Sequence, residues 1–102
     1  MFYIFGEVFF ATTQKRNKAA ARMDTLAASY GFTPGAAPEY GEAWPDGRVL
    51  ITGTADSGAS VPGIRFGYQT ATAEAMQAAT VDIAGAWDVF GDTDSWWGSS
   101  QS

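Results

Sequence analysis

The sequence predicts a single α+β domain in which one antiparallel sheet carries two helices on one face. Three observations predict it. Segments of period two and segments of helical period follow one another in the order strand, helix, two or three strands, helix, short strand. The 102 residues are 46 % hydrophobic and 15 % aromatic, enough for one core and too short for two. Only 17 % of the residues are charged, unlike disordered chains, which are poor in aromatics and rich in charge.

The first strand is predicted over Phe2 to Thr13. Phe2, Ile4, Gly6, Val8 and Phe10 alternate with Tyr3, Phe5, Glu7, Phe9 and Ala11, and β-branched and aromatic residues dominate. Both faces are largely apolar, as in a strand covered on both sides. A helix is predicted from Lys15 to Tyr30, capped by Thr12 or Thr13. Its buried stripe is Ala19, Met23, Leu26, Ala27 and Tyr30. Gly31 suits the left-handed position that ends a helix, and Pro34 prevents continuation.

Residues 33–47 hold Pro34, Gly35, Pro38, Gly41, Pro45 and Gly47. Pro45, Asp46 and Gly47 signal a turn. Residues 42–44 and 49–51 are expected to pair across it as a hairpin. A strand follows over Arg48 to Ala55, then a small-residue loop, then a strand from Ile64 to Thr70. Thr72 is expected to cap a second helix reaching about Val89, with Glu74 in its first turn and a stripe of Met76, Ala79, Ile83 and Trp87. Only Ser95 to Gly98 offers material for a last strand. Residues 1–97 are therefore expected to form the domain, with residues 98–102 as a frayed tail. This βαββα(β) order is that of a ferredoxin-like sandwich. The likeness is one of topology, with no family motif beside it.

Missing residue types exclude much chemistry. The chain has no cysteine and no histidine. Disulfides, thiolate nucleophiles, cysteine-ligated zinc and iron–sulfur clusters are ruled out. So are histidine general bases, histidine metal ligands and Ser-His-Asp triads. No cofactor and no metal site is expected: Asp88, Asp92 and Asp94 lack the spacing and closing glutamate of an EF-hand. Residues 53–60 lack the Gly-Lys-Ser/Thr ending of a phosphate loop. What remains for catalysis is a carboxylate-dependent hydrolase using Glu39 or Glu42 beside Tyr40 and Trp44, an alternative set below a non-catalytic role because so small a fold rarely makes a deep cleft.

The net charge is −5, which argues against nucleic acid and against an anionic membrane surface. No apolar run approaches the ~20 residues that span a bilayer, and a cytoplasmic protein is expected. Frequent Ala, Gly, Asp and Trp with scarce Lys match GC-rich codon usage, hence an actinobacterium or one of its phages. All six basic residues lie between Lys15 and Arg65, and the acidic residues of positions 1–65, Glu7 included, balance them. The excess comes from Glu74, Asp82, Asp88, Asp92 and Asp94.

Two candidate partner-binding surfaces follow. One is the acidic, aromatic C-terminal segment: Trp87, Asp88, Phe90, Asp92, Asp94, Trp96 and Trp97. Aromatic side chains flanked by carboxylates suit a groove that is apolar inside and basic at its rim. The other is the sheet face left uncovered by helices, with Tyr3, Phe5 and Phe9. The expected function is a non-catalytic protein–protein interaction module, such as a small phage-encoded inhibitor or modulator of a host protein. The alternative is a homo-oligomer closed through its aromatic sheet face.

Overall fold

The structure, a computed structural model, describes residues 1–34 and 47–101. Its elements are β1 (Phe2–Phe10), α1 (Thr13–Ser29), β2 (Thr33–Pro34), β3 (Gly47–Thr54), β4 (Ser60–Thr70), α2 (Ala73–Val89) and β5 (Asp92–Gln101). β1 lies between β4 and β5, and β2 and β3 follow one another along the outer edge of β4. Every pairing is antiparallel. Counting β2 and β3 together as one edge, this is the ferredoxin-like α+β arrangement that the element order predicts.

Both helices obey the same local rules. The Thr12 and Thr72 hydroxyls accept from the backbone N–H of Lys15 and Ala75, at 3.2 and 3.3 Å, each satisfying one orphan donor of a first turn. Both helices end in a left-handed glycine, Gly31 at φ +69° and Gly91 at φ +70°. After α1, the Gly31 N–H reaches the Ala28 carbonyl and the Phe32 N–H reaches that of Ala27, the pair of bonds that closes a helix C-terminus.

The helices pack on one sheet face. Ile4, Val8, Phe10, Ile64, Phe66 and Tyr68 from the sheet meet Ala19, Met23, Leu26, Ile83 and Trp87 from the helices. Trp87 sits at the centre: its ring centroid is 5.4 Å from that of Phe66, and its indole N–H donates to Met23 Sδ at 3.4 Å. Gly6 permits a close approach, because a Cβ there would lie 2.4 Å from the Trp96 carbonyl oxygen and 2.6 Å from Trp97 Cβ. The helices are tied by Tyr30 Oη, which donates to Asp82 Oδ2. Arg48 on β3 grips Asp24 on α1 with two bonds of 2.7 and 2.8 Å.

One expectation is corrected. The chain after Gly98 is not frayed: Gly98, Ser99, Ser100 and Gln101 pair with Phe5, Ile4, Tyr3 and Phe2. Glycine and serine have poor strand propensity, and the apolar partner strand overrides it. β3 pairs with β4 over its whole length, and the proposed hairpin partner at 42–44 lies outside the described residues.

Candidate functional site

Side chains alternate across a strand, and directly opposed residues of an antiparallel pair share a face. The face away from the helices therefore collects Tyr3, Phe5, Glu7 and Phe9 from β1, Gly63, Arg65 and Gly67 from β4, Val49, Ile51 and Gly53 from β3, and Asp94, Trp96 and Gly98 from β5.

One row crosses all four strands. Val49 opposes Arg65, Arg65 opposes Glu7, and Glu7 opposes Trp96. Glu7 Oε2 accepts from Arg65 Nε at 3.0 Å and from Arg65 Nη2 at 2.8 Å. Glu7 Oε1 accepts from Trp96 Nε1 at 2.9 Å. The carboxylate thus uses both oxygens within the sheet, and its charge is cancelled in place. Val49 and Trp96, at the two ends of the row, are 42 and 46 % exposed.

Glycines shape the rest of this face. A Cβ on Gly63 or Gly53 would meet the Phe9 ring at 2.5 or 2.4 Å, so the ring lies across β4 and reaches β3. Phe5 lies over Gly98 in the same way, at 3.0 Å, and meets Trp96 edge-on at a centroid distance of 6.5 Å. Aromatic rings over strand glycines recover contacts that glycine cannot make itself. At one end of the face, Phe9, Val61, Ala55, Asp56 and Asp94 line an open hollow of about 380 Å³.

The candidate residues separate into three groups. Trp87 is 3 % exposed and belongs to the core; its place in the helical stripe overrides its place in the acidic segment, and it presents no surface to a partner. Tyr3 and Phe5, 8 and 5 % exposed, form a small buried cluster on the face away from the helices and, contrary to expectation, present little surface to a partner; Phe9 is half-buried there. Asp88 and Asp94 are exposed, Asp92 and Phe90 are half-buried, and Trp96 and Trp97 are about half exposed on opposite faces of β5. The segment is thus an edge strand preceded by a helix end, rather than a tail reaching outward. Glu39, Tyr40, Glu42 and Trp44 lie outside the described residues.

Glu7 and Arg65 escaped the sequence reading. Their signal was there: each is the one charged side chain of its strand, and the charges are opposite. Among the described residues, no group of three or more acidic side chains is placed to hold a metal ion, and no helix is long and apolar enough to cross a membrane.

No family model and no curated protein matches the chain. Among solved structures, it is similar to the de novo designed protein Foldit4, with a TM-score of 0.63 and 7 % identity over 99 % of this chain and 97 % of that one. It also aligns with SnoaB, a cofactor-independent oxygenase from Streptomyces nogalater, with a TM-score of 0.47 and 14 % identity over 99 % of this chain and 90 % of that one. The first likeness is one of fold, and the second is too slight to bear on activity. The chain has the ferredoxin-like fold.

Proposed function

We propose that this protein is a non-catalytic interaction module that self-associates through the open face of its sheet. The observation that carries this reading is the row of Val49, Arg65, Glu7 and Trp96. It ends in two half-exposed apolar side chains and holds its two charges already paired. Interface cores are depleted of unpaired charge and enriched in tryptophan and other aromatics. A row that neutralises its own charge needs no charged partner there.

Charge placement favours a second copy as the occupant. Glu74, Asp82 and Asp88 are exposed on α2, in the layer behind the sheet. Two sheets packed face to face, about 10 Å apart, would hold the two acidic helices as far from each other as the fold allows. Like charges nearer the contact would oppose association. The half-buried Phe9, Ile51 and Val61 add apolar area beside the row. A non-catalytic role also fits a chain without histidine or cysteine.

Sedimentation of the purified protein over a wide concentration range tests this reading. Mass action predicts a rise from monomer to dimer mass. A mass that stays monomeric throughout would overturn self-association, and would leave the same face to a partner of different sequence.

A further inference from the structure

The outer edge of β5 carries a second inference, which does not rest on self-association. The sheet has two edges, and they differ. The β2/β3 edge carries Pro34 and an Arg48 held by Asp24. The β5 edge runs ten residues from Asp92 to Gln101. It contains no proline, lysine or arginine, the usual devices that blunt an edge. Among the described residues, no strand pairs with its outer side. Trp97 stands on the helix-side face of this edge, 45 % exposed.

This edge also lies in the acidic third of the chain. Asp92 and Asp94 are at its start, and α2, which packs near it, exposes Asp88, Asp82 and Glu74. No lysine or arginine follows Arg65. Two such edges repel each other, whereas a cationic strand is attracted and steered in. We infer that the β5 edge accepts an extended, lysine- or arginine-bearing peptide by strand addition. Backbone hydrogen bonds would supply the affinity and the carboxylates the preference for a cation.

The probe is a synthetic octapeptide that alternates lysine with valine or threonine, added to isotope-labelled protein and followed by amide NMR shifts. The expected result is saturable shifts centred on Thr93 to Ser99, weakening as salt is raised. Backbone N-methylation of alternate peptide residues should weaken half-saturation by about tenfold or more, because it removes ladder donors. The glutamate version should not bind. Two variants sharpen the test: Asp92→Asn with Asp94→Asn should weaken binding while leaving the spectrum folded, and Ser95→Lys should weaken it by adding a like charge at the edge. Equal binding by the N-methylated peptide would reduce the effect to charge alone and overturn strand addition. The absence of any peptide-dependent shift along β5 at fixed protein concentration would also overturn it.

Discussion

Trp96 donates its indole N–H to Glu7 Oε1 at 2.9 Å, across the strand pair in which the two residues stand directly opposite. This bond fixes the largest exposed side chain of the open face to a carboxylate that Arg65 also grips from the other side. The face is therefore held in one geometry before anything binds it, which lowers the ordering cost of association.

Glu7→Ala should destabilise the fold by ~1–3 kcal/mol, because it removes a carboxylate that accepts from both a half-buried guanidinium and an indole. Glu7→Gln keeps an acceptor for one of them and should cost less. Urea denaturation separates the two. Equal stability of Glu7→Ala and the parent chain would show that the row does not hold the face.

Gly6→Ala should be among the most damaging single changes. The new Cβ would fall 2.4 Å from a backbone carbonyl and 2.9 Å from the Phe66 ring, and neither can move without displacing β5 or the core. Gly85→Ala is the contrast, since its Cβ meets nothing within 4 Å. It should stabilise α2 by up to ~1 kcal/mol through helix propensity. Thermal unfolding of the two variants should therefore shift in opposite directions.

Tyr68 is 4 % exposed, and among the described residues its hydroxyl has no hydrogen-bond partner. Burial pushes its ionisation up from 10.0 to about 12, and nearby Asp24 pushes the same way. A raised folded value means that the stability is present below pH 10 and is lost as pH climbs toward 12. Tyr68→Phe should remove that dependence and be neutral or slightly stabilising at neutral pH, because it deletes an unsatisfied buried group. In a spectrophotometric titration, the variant should lack a late tyrosinate step that the parent chain shows.

Asp24 behaves in the opposite sense. The hydrogen bond from Arg48 holds its carboxyl below the ordinary 3.8, against a smaller opposing effect of burial. Its contribution is thus present above the unfolded value and lost as pH falls through the lower folded one. The pair is partly solvent-exposed, so the effect should stay within about 1 kcal/mol. Arg48→Met should flatten that part of the acid limb of the stability curve.

The helices were legible in the sequence because their signals are local. Thr12, Thr72, Gly31 and Gly91 need only their own neighbours to act, and the stripes through Met23 and Ile83 have helical spacing. β5 was not legible beyond Gly98, because Ser99 to Gln101 become a strand only through pairing with Phe2 to Ile4. The site failed for a related reason. Trp96 and Trp97 read as one aromatic pair, yet the strand sends them to opposite faces. Glu7 and Arg65 are 58 positions apart, and nothing local joins them.

Val49 and Leu50 are adjacent, 42 and 48 % exposed, and point to opposite faces of β3. Sedimentation equilibrium of the parent chain, Val49→Asp and Leu50→Asp at matched concentrations tests the self-association most directly. The open-face account predicts that Val49→Asp lowers the association constant by about tenfold or more, as a buried unpaired charge requires, while Leu50→Asp leaves it unchanged. A monomeric parent chain, or equal loss in the two variants, would contradict it.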